Sequence, residues 1–282
     1  MCGIVGYVGY QPAQDILLGG LQKLEYRGYD SAGISLLEDG ELHSVRAVGN
    51  LSHLRDAVDA AADSEGGVAT AVKPATTGIG HTRWATHGRV TEENAHPHYD
   101  MDNRVHVVVN GIVENYLDLK QQLQADGAEF SSETDVEVIA HLISRELDAG
   151  DGLVQATLRA YARLDGHYAF VVVNADEPDL LVGARRECPL VVGRGEGEQF
   201  VASGIPAFLE HTREVQIVEN NEIVVVTREG VELLTPAGVT IDRPVQTVEW
   251  NAEEAQKGGY ETFMLKEIHE QADAVAETIA DR

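Results

Sequence analysis

The sequence has few cysteines and no long hydrophobic run. Cys2 and Cys188 are the two cysteines among 282 residues, too few for a disulfide scaffold, so we expect a reducing, cytoplasmic compartment. No stretch approaches the roughly 18 apolar residues that a membrane-spanning helix requires. The first residues also lack the basic start and apolar centre of a secretory signal. We therefore expect neither a transmembrane helix nor a secretion leader.

Basic residues are also scarce. The chain has 21 Lys+Arg against 47 Asp+Glu, a formal net charge of −26, and five of the basic residues are lysine. Nucleic acids and anionic membrane surfaces attract basic patches, so this composition argues against both as partners. An acidic surplus with few lysines is typical of a surface adapted to high salt. The alternative is an acidic protein from an ordinary environment.

Hydrophobic residues make up 43% of the chain, which is enough for a large core. The pattern predicts short strands at 4–9 and 104–111, a strand that runs into a tight loop within 77–88, a hairpin at Asp39-Gly40, and a series of strands over 166–234. It predicts helices at 13–25, 52–63, 113–126, 133–148, 152–163, 205–211 and 259–282, and a loop over 64–77. This order favours an α+β fold with two sheets and helices packed outside them. Residues 236–257 are rich in proline, glycine and acidic residues, so we expect a linker between a domain over 1–235 and a further segment over 258–282.

Cys2 is the first residue with distinctive chemistry. It is small enough for Met1 to be removed, which would give one residue both a thiol and a free α-amine. An α-amine has a reference pKa near 8 and can act as general base toward the thiol. The alternative is that Cys2 is a small apolar residue at the start of a strand.

Further motifs follow in order along the chain. They are LEYRGYDSAGI (24–34), GIGHTRWATHG (78–88), NAHPH (94–98), VVVNGIVENY (107–116), SETDVEVIAHLI (132–143) and LDGHYAFVVV (164–173). Together with MCGIVGYVG they resemble the class II glutamine amidotransferases, most closely the branch that aminates fructose 6-phosphate. The resemblance covers about 1–235 and resumes at 257–271. The form YRGYDSAG separates this branch from the amidophosphoribosyl and asparagine-forming branches.

The resemblance implies a four-layer αββα N-terminal-nucleophile hydrolase sandwich and the hydrolysis of L-glutamine. In that mechanism Cys2 attacks the substrate carboxamide, and Asn110 and Gly111 form the oxyanion hole. Arg83 would bind the substrate carboxylate and Asp135 its ammonium group. The remaining residues implied at the glutamine site are Trp84, which the family links to the ammonia channel, Thr86, His87 and Arg27.

The resemblance also implies partners and a processed N-terminus. The segment 258–282 would begin a sugar-isomerase domain that is otherwise absent, with fructose 6-phosphate as acceptor. The full enzyme would be a homodimer without cofactor or metal, and its active form would lack Met1. The chain could equally be a fragment or a separate subunit that pairs with an isomerase polypeptide.

Simpler interpretations stand beside these roles. Asn110-Gly111 is also typical of a turn after a strand, and Asp135 of a helix's first turn. Arg83 could be a surface cation and Trp84 a packing residue. The histidines of 81–98 suggest a metal site or a Cys–His pair, but the spacing of zinc ligands is absent. An amidophosphoribosyl-type glutaminase and a non-catalytic glutamine-sensing module are the other functions kept open.

Overall fold

The computed structural model describes residues 2–64, 74–249, 260 and 263–280. The chain forms two compact units, Met1–Val248 and Glu249–Arg282, each described by itself. In the second unit, residues Phe263–Ala280 form a helix, and the Tyr260 ring stacks on His269. Over the described residues, no helix is long and apolar enough to cross a membrane.

Short strands dominate the first unit. Its helices are α1 (Ala13–Leu24), α2 (Leu51–Ser64), α3 (Tyr116–Ala125), α4 (Val138–Asp148) and α5 (Leu153–Tyr161), and the helix of the second unit is α6 (Phe263–Ala280). The strands are β1 (Gly3–Val8), β2 (Ser31–Glu38), β3 (Glu41–Val48), β4 (Thr77–Arg83), β5 (His98–Tyr99), β6 (Val105–Val113), β7 (Gly166–Asn174), β8 (Leu180–Arg186), β9 (Leu190–Arg194), β10 (Gln199–Ala202), β11 (Glu214–Val218), β12 (Glu222–Thr227), β13 (Gly230–Leu234), β14 (Thr240–Ile241) and β15 (Gln246–Thr247).

The strands form two antiparallel sheets. The first has the order β15-β11-β9-β10-β1-β4-β2-β3 and the second the order β14-β13-β12-β8-β7-β6-β5. Helix α1 packs on β1 and β4, and α2 on β3, whereas α4 packs on β6 and α5 on β8. The layers therefore run helices, sheet, sheet, helices, which confirms the predicted αββα arrangement.

Strand alternation explains how the second sheet serves two cores. On β6, Val108 belongs to the apolar cluster between the sheets, whereas Val107 and Val109 belong to the cluster under the helices. On β7, Val171 and Phe170 divide in the same way. Because successive side chains of a strand point to opposite faces, this sheet must be apolar on both.

Close packing of α1 against the first sheet depends on two glycines of β4. A Cβ at Gly78 would lie 3.0 Å from Cδ1 of Leu17, and one at Gly80 would lie 3.0 Å from Cδ1 of Leu21. These leucines are four residues apart and share one face of the helix. On the opposite face of β4, Ile79 enters the core between the sheets. His81 and Arg83 follow Ile79 at alternate positions and therefore lie on the same face of β4.

Most elements confirm the prediction, including the hairpin, whose turn residues Asp39 and Gly40 both have positive φ angles. The predicted strand ending at Asn110-Gly111 was too short, because β6 continues to Val113 and pairs with β7 throughout. Helix α3 consequently starts at Tyr116. In place of a helix over 205–211 there is one 3-10 turn, Ile205–Ala207. The predicted loop 64–77 lies largely outside the described residues.

Two further boundaries differ from the prediction. Helix α4 begins at Val138, because the Glu137 carboxylate bonds the backbone N–H groups of Ser131 and Ser132 and holds this segment in a non-helical loop. The expected linker 236–257 contributes β14 and β15 to the two sheets, so the first unit extends to Val248. The predicted continuation 250–257 lies outside the described residues.

Candidate active site

Cys2 directly precedes β1, which lies between β10 and β4 in the first sheet. The backbone N–H of Trp84 donates a hydrogen bond to Cys2 Sγ at 3.2 Å. The thiol also lies 3.7 Å from the Trp84 carbonyl oxygen. Burial raises the pKa of the Cys2 thiol, whereas the Trp84 N–H and the charge of Arg83 lower it. The chain leaving β4 is therefore held against the sulfur.

Asn110 reaches Cys2 from the opposite sheet. Its Nδ2 donates to the Cys2 carbonyl oxygen at 3.0 Å, and its Oδ1 lies 3.1 Å from His81 Nε2. Gly111 follows with φ +112°, and a Cβ there would lie 2.0 Å from the His167 carbonyl oxygen. The Asn110-Gly111 pair is thus part of the β6–β7 ladder rather than a turn. Only glycine fits position 111 without strain.

Arg83 is a buried cation at the end of β4. Its Nη1 donates to the Arg89 carbonyl oxygen at 3.0 Å and its Nη2 to the His87 carbonyl oxygen at 2.5 Å. Burial lowers the pKa of Arg83, while Asp30, Cys2 and Asp135 raise it. A guanidinium has five N–H donors, so these two bonds leave donors for a ligand. Arg83 is not the surface cation of the simpler interpretation.

Asp135 supplies the opposite charge. It is 4% exposed, and Val113 N–H donates to its Oδ2 at 2.7 Å. Burial raises the pKa of Asp135, and the Val113 bond and nearby His87 and Arg83 oppose that shift. Asp135 is not in the first turn of α4, which starts at Val138. The interpretation as a helix-dipole residue is therefore wrong.

A small, partly open cleft lies beside Cys2. Of the residues predicted for the site, those that line it are Cys2, Gly111, Arg83, Trp84, Thr86, His87 and Asp135. Asn110 is not among the lining residues, but its side chain is bonded to the backbone of Cys2, which is. Arg27 is not among the lining residues, and its Nη1 donates instead to the Ser203 carbonyl oxygen at 2.9 Å.

Sequence reasoning missed several residues of the cleft. The other side chains that line it are His96, Val109, Thr134 and Val136. Asp30 acts from outside, because its Oδ2 accepts the Ala85 N–H at 2.5 Å and fixes the chain beside Trp84. The signals were available, since Thr134 adjoins Asp135, His96 lies in NAHPH, and Asp30 in YRGYDSAG.

His81, His96 and His98 form a buried column, and the half-buried His87 lies apart from it against Tyr116. His81 stacks on His96 with ring centroids 4.0 Å apart, and His96 meets His98 edge-on at 4.5 Å. Burial lowers the pKa of His81 to about 3 and keeps this ring neutral at physiological pH. Within the described residues, no group of three His, Cys, Asp or Glu side chains is arranged to hold a metal ion.

The cleft thus combines a sulfur nucleophile, donors beside it, a cation and a carboxylate. A thiol next to backbone and amide N–H groups is suited to acyl transfer, in which negative charge develops on a carbonyl oxygen. A guanidinium together with a carboxylate can bind a ligand that carries both charges, such as a free amino acid. The site therefore favours chemistry on the side chain of an amino acid.

Comparisons with known proteins point the same way. A family model described as "Glutamine amidotransferase domain" matches residues 81–210. The chain is 45% identical over 282 residues to the glutamine–fructose-6-phosphate aminotransferase (isomerizing) of Clostridium acetobutylicum and 48% identical to that of Streptomyces coelicolor. Each match covers 100% of this chain and 44% of the relative. The chain therefore spans less than half the length of the curated relatives it matches.

Solved structures with the same fold are also found. One is described as the glutamine phosphoribosylpyrophosphate amidotransferase from B. subtilis complexed with ADP and GMP. It superposes with a TM-score of 0.67 at 28% identity, over 83% of this chain and 49% of that one. A second, described as the allosteric regulatory enzyme of purine biosynthesis, superposes with a TM-score of 0.68 at 28% identity.

Proposed function

The chain belongs to the class II glutamine amidotransferases of the N-terminal-nucleophile fold, and from this premise we propose that it hydrolyses L-glutamine through a thioester on Cys2. The observation that carries the proposal is the single cleft shared by Cys2, Gly111, Arg83 and Asp135. A residue set of this kind matches the nucleophile, the oxyanion donor and the two charges of a free amino acid.

In the proposed reaction, the α-amine of Cys2 takes the thiol proton once Met1 has been removed. The thiolate then attacks the carboxamide carbon of glutamine, and the negative charge moves to the oxygen. The C–N bond breaks, and nitrogen leaves as ammonia after it accepts the proton from the amine. Water next attacks the thioester and releases glutamate and the free thiol. An amine with a reference pKa near 8 suits both proton transfers.

Asn110 and Gly111 would stabilise the developing oxyanion. Asn110 Nδ2 carries two hydrogens, and one of them is bonded to the Cys2 carbonyl oxygen. The second hydrogen and the Gly111 N–H remain for the substrate. One preorganised donor of this type typically contributes about 3–4 kcal/mol to transition-state stabilisation.

Arg83 and Asp135 would select free glutamine by its α-carboxylate and α-ammonium groups. Trp84, Thr86 and His87 line the same cleft and would contact the substrate. Arg27 would act from the Ser203 side, next to the start of β1, rather than by lining the cleft. The role of Arg27 is therefore separate from that of Arg83.

The test is glutamate release from L-glutamine by the purified chain, beside Cys2→Ser and Cys2→Ala variants. We expect turnover by wild-type protein whose mass shows loss of Met1, and none by either variant. Full activity in protein that retains Met1 would contradict the amine as base. Glutamine binding without any turnover, in protein that lacks Met1, would instead favour the glutamine-sensing module.

For the longer protein, we propose that the ammonia passes to fructose 6-phosphate in a homodimeric enzyme. Full-chain identities of 45–48% to fructose-6-phosphate aminotransferases support this acceptor over phosphoribosylpyrophosphate, whose enzyme matches at 28%. In this proposal 258–282 leads into the sugar-isomerase domain. Fructose 6-phosphate together with that domain should stimulate glutamate release, and phosphoribosylpyrophosphate should not.

We also propose a cytoplasmic protein adapted to high salt. The net charge of −26 and two free cysteines support this proposal. Dense carboxylates repel one another, and salt screens that repulsion. Melting temperature should therefore rise from low to multimolar KCl, and equal or higher stability at low salt would contradict the adaptation.

A further inference from the structure

We infer that His81 is a positioning residue, which fixes the side-chain amide of Asn110 with its nitrogen toward Cys2 and the oxyanion. The inference rests on the proposed glutaminase function. It assigns a task to a buried polar side chain that does not line the cleft. The evidence is a chain of two hydrogen bonds across the two sheets.

The orientation of the Asn110 amide follows from its partners. The Cys2 carbonyl oxygen can only accept, so the Asn110 atom 3.0 Å away must be the NH₂ group. The amide oxygen then faces His81 Nε2 at 3.1 Å. Because that oxygen can only accept, Nε2 must carry the ring hydrogen. The two bonds together determine both the Asn110 rotamer and the His81 tautomer.

The surroundings of His81 keep this arrangement rigid. His81 is fully buried on β4, and its ring lies flat against His96 at 4.0 Å. His96 Nδ1 in turn accepts the Val109 N–H at 3.2 Å, next to Asn110 on β6. The His81 ring also contacts the backbone of Val109, so it has little freedom to rotate. A well-packed supporting residue of this kind is what holds a catalytic donor in place.

Loss of the bond should affect the transition state more than substrate binding. Without His81, the Asn110 amide can turn over and present its oxygen where negative charge develops. Arg83 and Asp135, which would bind the substrate's charged groups, lie elsewhere in the cleft. A preorganised oxyanion donor acts mainly on kcat. We therefore expect an effect on kcat with little change in KM.

The chain offers a matched control. His106 lies on β6, the strand of Asn110, and is fully buried. Its Nε2 lies 2.8 Å from Asn103 Oδ1, and its Nδ1 lies 2.8 Å from Ser35 Oγ. This second His–Asn pair does not line the cleft. Replacing His106 removes a buried hydrogen bond to Ser35 and a partly buried one to Asn103, and it leaves the partners of Asn110 in place.

The first experiment compares His81→Leu, His81→Gln and His106→Leu. His81→Leu should lower kcat by between about tenfold and a hundredfold, with KM for glutamine within about threefold of wild type. Glutamine places its NH₂ near the position of Nε2, so His81→Gln should recover most of kcat. His106→Leu should lower the melting temperature and leave kcat within about threefold of wild type. Full kcat in a folded His81→Leu protein would overturn the inference.

The second experiment asks whether His81 acts through Asn110. In an Asn110→Ala background, adding His81→Leu should change kcat by less than about threefold, because the group it positions is gone. A loss that multiplies fully in the double variant would overturn the inference. The Asn110 side-chain NH₂ resonance, identified by its absence in Asn110→Ala, should lose its exchange protection in His81→Leu. Wild-type protein without turnover would contradict the proposed function, whereas unchanged protection would contradict the role of His81.

Discussion

Asp135 and Glu137 lie two residues apart in the segment before α4, and both carboxylates are buried. Glu137 accepts four hydrogen bonds, from the backbone N–H and hydroxyl groups of Ser131 and Ser132, at 2.5–2.9 Å. His141 Nε2 lies a further 3.5 Å from its Oε1. The Asp135 carboxylate accepts a bond from the Val113 N–H and interacts with its own backbone N–H, which is fewer partners than Glu137 has. One carboxylate is fully engaged by the fold, and the other faces the cleft.

The pKa values of the two carboxyl groups are shifted in opposite directions, as their hydrogen bonding predicts. For Glu137, burial alone would raise the pKa, but nearby His141 and the hydrogen bonds from Ser132 and Ser131 outweigh it, and the pKa lies well below its usual range. For Asp135, burial is the dominant effect and the pKa is raised. Ionised Glu137 therefore stabilises the fold, whereas ionised Asp135 destabilises it. A buried charge held without enough partners indicates that a ligand supplies the missing one.

The largest effect on stability is expected when Glu137 is removed. Glu137→Ala leaves the buried N–H group of Ser132 unpaired and removes the partner of the more exposed Ser131 N–H, so we expect a loss of about 3 kcal/mol in unfolding free energy. Urea unfolding of the purified chain measures it. Exposed Glu129 is the control, because Glu129→Ala removes an acidic side chain from the surface of the same region. A Glu137→Ala protein as stable as Glu129→Ala would contradict the structural role.

Asp135→Asn should impair glutamine binding without lowering stability. Loss of the carboxylate removes the proposed partner of the substrate ammonium and should raise KM for glutamine at least about thirtyfold, equivalent to about 2 kcal/mol. The melting temperature at pH 7 should stay equal or rise, because an unfavourable buried charge is gone. Steady-state kinetics and thermal melting of the same preparation measure both effects. A fall in stability with unchanged KM would assign Asp135 to the fold instead of the ligand.

The contrast between these residues also shows what the sequence could predict. Ser132, Glu133 and Asp135 look like the opening of a helix, because small polar and acidic residues precede an apolar repeat. The helix begins later, at Val138, because the Glu137 side chain folds back onto the backbone N–H groups of Ser131 and Ser132 and holds the segment between them in a non-helical loop. Periodicity predicts that elements such as β6 and α4 exist, but it contains no information about the hydrogen bonds that set where each element begins or ends. The two-residue strands β14 and β15 are too short to show alternation at all.

The site shows a similar division. Its residues were predicted from a family resemblance, and the structure places most of them around one cleft. The bond between His81 and Asn110 was not predicted, because these residues are 29 positions apart and lie in different sheets. Alternation tells which face a side chain occupies, but not which residue of a second sheet lies opposite. That register depends on the packing of both sheets together.

The smallest effect that we expect is in the pH dependence of stability, where Glu137 and Asp135 should act in opposite directions. Glu137 has a folded-state pKa below its unfolded value of 4.5, so its stabilisation is present above that pH and is lost as pH falls. Asp135 has a folded-state pKa above its unfolded value of 3.8, so its neutral form favours folding below that pH, and the advantage is lost as pH rises through the folded pKa. Each pKa unit of difference between the folded and unfolded states corresponds to about 1.4 kcal/mol.

Unfolding at pH 4 and pH 7 measures both trends. As pH rises, the stability of Asp135→Asn should increase relative to wild type, and that of Glu137→Gln should decrease relative to wild type. Parallel curves for all three proteins would show that the two carboxylates have the same environment.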